Sequence, residues 1–452
     1  MKRIAWLTVL IAFMALIFAR DLLPQVDEKL FPCSVSLRQQ VFVETIKNPV
    51  IVDEALVGGQ TVKCEIDTVD LGSGTMISRS GLILTNYHVW QFTPKLRYDK
   101  ANNLAYQVKA STVDVLVYVL DPTNIFKEPK KKYVARFLSG SEDQDLVVMK
   151  CVLDANTGQE IRGVDLPYMK ISNPFGIPMG AGIGILGYPG IGGKTITMTG
   201  GRFLGYVGDD DCTIKTDAGI SFGNSGGSAV YQDGLFGVPT AMSGVQAGTN
   251  FGYIVPVTRA LGPLLEAKLH YGEDIPPVDR KWIASPLNSD LSKASTYVAG
   301  RVVSAQTNAG VQLARVWIFR RDRTADQIES LYEEIQKISS IVTIQQRSRA
   351  GQTVEDIAKS MQLTEEDVQA AMKTDVLEGA SHDAKAFLQG EFFYTVLDAG
   401  FDGFFFTSER PVPRNAQLVL AVSREGYRRV EKQFATTDDE VLDLGTIKSY
   451  PY

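Results

Sequence analysis

From about Val35 to Pro256 the sequence is cut into short β-prone runs with no helical stretch between them, and this constrains the fold most. Gly74-Thr75-Met76-Ile77, Val113 to Val119 and Ile183 to Leu186 are typical of these runs. Glycine, proline and Asn/Asp turns separate them, as expected for strands joined by tight connections. Many strands without alternating helices point to a barrel or a sandwich and away from a doubly wound sheet. The expected fold class is mainly β. Val257 to His270 then reads as a helix, with Ala260, Leu261, Leu264, Leu265 and Leu269 on one face. It closes a first domain, residues 33–272.

At 452 residues the chain exceeds one ordinary core. A polar, proline-containing linker is expected over residues 273–295. Residues 296–452 form a second domain. Its strand-like runs, VAGRVV and ARVWIF early and FFYTVL, GFFFT, AQLVLAVS and VLDLGTI late, flank a helical insert at 324–389. In the insert Ile328, Leu331, Tyr332, Ile335 and Ile338 recur at helical spacing, a packing stripe. GQTVEDIA and LTEEDV read as two further short, capped helices. Phe404 to Phe406 read as alternating core residues.

Residues 1–23 read as a signal anchor or a cleaved signal peptide. Met1-Lys2-Arg3 precedes an apolar run from Ile4 to Ala19. As a helix that run covers about 24 Å against a hydrocarbon core of roughly 30 Å, a gap that snorkelling basic residues can close. Small residues at the alternate positions of a cleavage site are missing, which favours a retained transmembrane anchor. The basic start predicts a cytoplasmic N-terminus and an extracytoplasmic body.

A net charge of −6 argues against a nucleic-acid partner. Cys33, Cys64, Cys151 and Cys212 allow three complete pairings and serve equally as small buried hydrophobes. None has CxxC spacing, so no metal and no cofactor is expected. The chain has only three histidines, His88, His270 and His382, which leaves few candidates for an imidazole base.

The stretch Gly223-Asn224-Ser225-Gly226-Gly227-Ser228 carries the chemistry. A serine between glycines in a tight turn can present its hydroxyl and nearby N–H groups to a carbonyl. Upstream stand Leu84-Thr85-Asn86-Tyr87-His88-Val89 and Asp145-Leu146-Val147-Val148-Met149-Lys150. His, Asp and Ser in these settings are the parts of an acyl-transfer triad. His88 would take the serine proton, Asp145 would orient the imidazole, and Ser225 would attack. The N–H groups of Gly223 and Ser225 would form the oxyanion hole. Each residue also has a plain structural role available, as a strand cap, a strand start and a hairpin turn.

GSGTMISRSGLILTNYHV, DLVVMK, ILGYPG, TDAGISFGNSGGSAV and FGYIVP occur in that order. Together they resemble the trypsin-like serine peptidases of the chymotrypsin fold, closest to the high-temperature-requirement (Do-like) branch. The resemblance covers roughly residues 35–270 and implies two perpendicular six-stranded β-barrels with the active site between them. It gives the same roles to His88, Asp145 and Ser225, with Asp143 as a nearby rival. It places Gly219 and Ile220 at the base of the primary specificity pocket. Neither is charged, which implies small or medium apolar side chains before the cleaved bond. Glycines at 219 and 223 suggest, by family analogy, a loop that switches between ordered and collapsed oxyanion holes. No PDZ-like segment follows, so chaperone behaviour and trimer formation do not carry over.

VAGRVV, ARVWIF, Thr395 to Phe405, Glu425-Gly426-Tyr427 and LDLGTI resemble the carboxypeptidase-regulatory-like β-sandwich, a non-catalytic extracytoplasmic module. GQTVEDIAKSMQLTEEDVQAAM is similar both to a helix-turn-helix and to a LysM peptidoglycan-binding motif, with plain packing as the default. Peptidoglycan contact through the insert is thus one expectation. The leading expectation is an exported serine endopeptidase acting on proteins or peptides. Its rival is a non-catalytic surface or cell-wall binding protein on the same scaffold.

Overall fold

The computed structural model describes residues 26–52, 55–190, 194–207, 213–242, 251–277, 295–349, 351–375, 379–388, 394–400, 402–407, 412–437 and 441–452. The chain divides into two compact units, Met1–Lys293 and Ala294–Tyr452.

The first unit opens with β1 (Ser34–Val52), β2 (Ala55–Met76), β3 (Leu82–Thr85) and the single turn α1 (Tyr87–Trp90). β4 (Lys95–Asp99), β5 (Leu104–Ala110), β6 (Val115–Val119), β7 (Lys130–Ser141) and β8 (Leu146–Asp154) follow. Six of these strands close a ring. β1 pairs with β2, β2 with β3, β3 with β8, β8 with β7, β7 with β6, and β6 returns to β1, always antiparallel.

The next strands are β9 (Lys170–Ile171), β10 (Gly182–Gly187), β11 (Thr197–Val207) and β12 (Thr213–Thr216), then β13 (Ser228–Tyr231), β14 (Gly234–Met242) and β15 (Gly252–Pro256). β10 pairs with β11, β11 with β12, β12 with β15, β15 with β14, β14 with β13, and β13 with β10. The result is two closed six-stranded barrels.

Side chains alternate across a strand, and here both sides are occupied. In β8, Val147, Met149 and Cys151 enter the first barrel beside Val35, Leu37, Val115 and Val117. Leu146 and Val148 point the other way, into a core shared with Leu186, Val230, Val238 and Val255 of the second barrel. With both faces buried, β8 is apolar almost throughout. The second barrel's own interior holds Ile183, Ile185, Phe203, Ile214, Phe236 and Ile254.

The chain leaves this barrel through a 3₁₀ turn, Val257–Ala260, and the helix α2, Leu261–Tyr271. Leu264 and Ala267 join the shared core. Leu269 does not: it is 40 % exposed and lies off the expected face. The expected short strands also need correction at one place. β1 and β2 run for 19 and 22 residues and form a long hairpin. Cys33 and Cys151 are buried and Cys64 is exposed, all three as free thiols; Cys212 lies outside the described residues. Burial pushes the Cys33 and Cys151 thiols up to about 12. The expected signal segment, residues 1–23, also lies outside the described residues. Among those that are described, no helix is long and apolar enough to cross a membrane.

In the second unit β16 (Ser295–Ser304) and β17 (Arg315–Arg320) precede four helices, α3 (Ala325–Arg349), α4 (Val354–Met361), α5 (Glu365–Lys373) and α6 (His382–Leu388). The chain continues with β18 (Tyr394–Asp398), β19 (Phe404–Phe406), β20 (Val412–Pro413), β21 (Gln417–Ser423), β22 (Val430–Ala435) and β23 (Val441–Ser449). One sheet holds β16, β19, β20 and β23, the other β17, β18, β21 and β22. Val298, Val302, Phe405 and Ile447 of the first meet Val316, Ile318, Leu418 and Leu420 of the second in one core. Trp317, Phe319, Val419 and Ala421 on the opposite face are covered by Ile328, Leu331, Ile335 and Ile338 of α3. The Thr353 and Thr364 side chains cap α4 and α5 by accepting the N–H of Asp356 and Asp367.

Candidate active site

His88 sits in α1, directly after β3. Asn86 is the N-cap, yet its side chain makes no cap bond. Its Nδ2 instead donates to the Asp145 carbonyl at 2.9 Å. Asp145 ends the turn before β8 in the left-handed region, φ +51°, a conformation that Asp and Asn tolerate better than most residues. That placement turns its carboxylate towards α1. Oδ1 accepts the His88 N–H at 3.1 Å, and His88 Nδ1 lies 2.9 Å from both oxygens. The carboxylate is an acceptor only, so Nδ1 carries the hydrogen that faces it, and in the neutral ring the lone pair is on Nε2.

A third donor comes from the other barrel. The Thr240 hydroxyl of β14 donates to Asp145 Oδ2 at 2.6 Å. Burial alone would push the Asp145 carboxyl up. Hydrogen bonds from the His88 ring, the Thr240 hydroxyl and the His88 amide outweigh that, and hold it below the ordinary carboxylate range.

Ser225 lies between β12 and β13 in a turn closed by Asn224 N–H to Ser221 O and Gly227 N–H to Asn224 O. Gly223 and Gly226 have φ of +98° and +80°. A Cβ on Gly226 would stand 2.1 Å from Thr85 Oγ1 and 2.3 Å from the Ser73 carbonyl, so only glycine fits there. The first barrel thus presses on the back of the Ser225 turn. Ser73 fastens it further: its N–H donates to the Ser225 carbonyl at 2.9 Å and its Oγ to the Gly223 carbonyl at 2.6 Å.

The Phe222 carbonyl accepts the Gly190 N–H at 2.9 Å, which turns the Gly223 N–H to the opposite side of that peptide. Among the described residues neither the Gly223 nor the Ser225 N–H has a hydrogen-bond partner. Two neighbouring free donors beside a serine are what a developing oxyanion requires.

The structure therefore brings His88 and Asp145 into direct contact and links Ser225 to them through one residue. Ser225 Oγ donates to the Thr240 carbonyl at 3.1 Å, while the Thr240 hydroxyl holds Asp145. No hydrogen bond joins Ser225 to the imidazole among the described residues. Asp143, the nearby rival, makes no bond to His88 there either. Sequence reasoning missed Thr240, a lone hydroxyl inside an apolar strand with no motif around it. It also missed Ser73, a buried serine whose only signal was the run GSGT.

The pocket expectation needs a correction. Gly219 is at the surface, and its carbonyl accepts the Thr199 hydroxyl at 2.7 Å. Ile220 is only 3 % exposed and packs with the second-barrel core. It lies against Gly252, where an added Cβ would come within 2.6 Å of its Cδ1. A branched apolar side chain with apolar neighbours is driven to fill this space, so Ile220 packs it instead of lining an open slot.

Residues 72–236 match the trypsin-like peptidase domain family. The chain resembles the trypsin-like serine peptidases of the HtrA branch. Serine protease HTRA4 of Mus musculus is 29 % identical over 181 residues, 40 % of this chain and 31 % of that protein. A probable periplasmic serine protease do/HhoA-like of Haemophilus influenzae is 27 % identical over 338 residues, 71 % of this chain and 58 % of that one. The solved HtrA-type protease AlgW with decapeptide is 21 % identical at a TM-score of 0.36, over 54 % of this chain and 66 % of that one. The chain thus spans about a third of the mouse protein's length.

Thr240 can be tested without touching the imidazole or the serine. Thr240→Val keeps the carbonyl that Ser225 uses and removes the hydroxyl from Asp145. Loss of a hydrogen bond to a charge should raise the Asp145 pKa and lower kcat about 10-fold with KM little changed. Steady-state kinetics on a peptide substrate would read this, and an unchanged kcat would remove Thr240 from the relay.

Proposed function

We propose that this chain is a serine endopeptidase that cleaves proteins or peptides through an acyl-enzyme. The observation that carries the reading is the Thr240 bridge: one residue of the second barrel holds both the Ser225 hydroxyl and the carboxylate that fixes His88. On binding, the Ser225 hydroxyl rotates from the Thr240 carbonyl towards His88 Nε2. Oγ attacks the scissile carbonyl while its proton passes to Nε2, and Asp145 stabilises the imidazolium. The carbonyl oxygen gains the electron pair and takes the N–H groups of Gly223 and Ser225. Collapse of that intermediate returns the proton from Nε2 to the leaving amine. Water, deprotonated by the same imidazole, then releases the acyl group.

A fluorophosphonate probe tests this reading directly, since it reacts only with an activated serine. The parent should label and Ser225→Ala should not. A folded parent that stays unlabelled, or a variant that labels equally, would favour the non-catalytic alternative. For specificity, the uncharged position of Gly219 favours a small or medium apolar side chain before the cleaved bond. Frequent cuts after Lys or Arg in a peptide library would overturn that preference. We further assign residues 1–23 to export, with the body outside the cytoplasm. Resistance of the body to added protease in spheroplasts would refute it.

A further inference from the structure

The hydroxyls of β2 and the run Ile185 to Gly190 take no part in the proton transfers, yet both meet the Ser225 turn. Ser73 and Thr75 stand two residues apart on β2, so their side chains share one side of the strand. Both are fully buried. At the downstream end of the turn, Thr75 Oγ1 lies 2.7 Å from the Ser228 hydroxyl, and Ser34 Oγ of β1 lies 3.0 Å from the same group. At the upstream end Ser73 Oγ donates to the Gly223 carbonyl at 2.6 Å. One strand of the first barrel therefore grips both ends of a turn that belongs to the second.

A serine hydroxyl has one hydrogen to give and lone pairs with which to accept. Ser73 Oγ accepts the Tyr188 N–H at 2.8 Å, and its one hydrogen goes to Gly223. Tyr188 is itself anchored, because its hydroxyl donates to the Ser34 carbonyl at 3.1 Å. Two residues further on, the Gly190 N–H takes the Phe222 carbonyl at 2.9 Å. Tyr188 to Gly190 thus supplies two constraints on the turn, one directly and one through Ser73.

Each constraint acts on a different peptide plane. The Gly223 N–H lies in the plane of the Phe222 carbonyl, which Gly190 holds, and the Gly223 carbonyl lies in the next, which Ser73 holds. The planes join at Gly223, φ +98°, and glycine resists rotation there less than any other residue. A stiffer residue does not fit, since a Cβ would stand 2.4 Å from the Tyr188 carbonyl. Hydrogen bonds must therefore supply the stiffness that the backbone lacks. We infer that the Ser73 hydroxyl is a positioning residue: acting through the Gly223 carbonyl, it keeps the Gly223 N–H aimed at the developing oxyanion. A donor held in place beforehand needs no reorganisation during the reaction. The inference rests on the peptidase reading.

Ser73→Ala removes the hydroxyl and should lower kcat about 10- to 100-fold with KM within about two-fold, less than the roughly 10²- to 10³-fold cost of deleting a donor outright. A peptidyl trifluoromethyl ketone ending in alanine reads the oxyanion site, because its Ser225 adduct carries the negative oxygen and the matching alcohol forms no adduct. The ketone should bind the variant about 10- to 100-fold more weakly, and the alcohol should bind both proteins equally. Ser73→Cys, close in shape but a weaker donor, should fall between the parent and the alanine variant. It carries the test if circular dichroism shows that the alanine variant does not fold. Full kcat in a folded Ser73 variant, or ketone and alcohol weakened alike, would overturn the inference. Fluorophosphonate labelling of the parent keeps the two readings apart. A labelled parent whose Ser73 variants retain full kcat removes this inference alone, whereas an unlabelled, folded parent removes the peptidase reading and this inference with it.

Discussion

Ser225→Ala should lower kcat/KM for a peptide substrate by about 10⁴- to 10⁶-fold, the range that removal of a triad nucleophile produces. The variant should keep its fold. Among the described residues the Ser225 hydroxyl makes one hydrogen bond, to the Thr240 carbonyl, whereas the turn is held by backbone bonds and by Ser73. The free Gly223 and Ser225 amides would remain and should leave residual rate above the uncatalysed reaction. Burst kinetics with an activated ester would show the same loss as disappearance of the acylation phase. A variant that retained a tenth of parent activity would remove Ser225 from the chemistry.

Asp145→Asn is the second large effect, a fall in kcat on the order of 10⁴-fold near neutral pH. Asparagine tolerates the left-handed backbone at this position, so the turn before β8 should survive. The chemistry should not. An amide can offer N–H to His88 Nδ1, which shifts the ring proton to Nε2 and leaves no acceptor for the Ser225 hydroxyl. The same substitution carries a stability signature. Because the folded-state pKa of Asp145 lies below its ordinary value, the stabilisation from its ionised form is present above the ordinary carboxylate range. It is lost as pH falls through the lowered pKa. Urea titrations should therefore show parent and variant converging in acid and separating towards neutrality. A constant difference across pH would argue against a lowered Asp145 pKa.

The His88–Asp145 contact and the glycine turn around Ser225 were legible in the sequence because each residue stands in a short, distinctive context. The relay that joins them was not. Thr240 lies in β14 between Pro239 and Ala241, and its role depends on strands that meet only after both barrels close. The two closed rings came from the family resemblance, since the strand pattern alone left barrel and sandwich open. Strands such as β8 are buried on both faces, so Leu146 to Met149 show no alternation from which an inward side could be read. The hairpin was underestimated because residues 59–68 of β2 are all exposed and mix Lys63, Glu65 and Asp67 with Val62 and Ile66. Ile220 was misplaced because position relative to a serine says nothing about what fills the space beneath it. By contrast, the caps at Thr353 and Thr364 announced α4 and α5, since the signal there lies within four residues of the element it starts.

Gly226 is pinned against Thr85 and Ser73, and Asp145 is reached by a hydroxyl from across the divide. His88 and Asp145 thus sit on one barrel and Ser225 on the other, within one compact unit, and they meet at the seam between the barrels. On the proposed function, turnover becomes a gauge of that seam. Mild pressure or denaturant that loosens the joint should silence turnover while each barrel still retains its own interior.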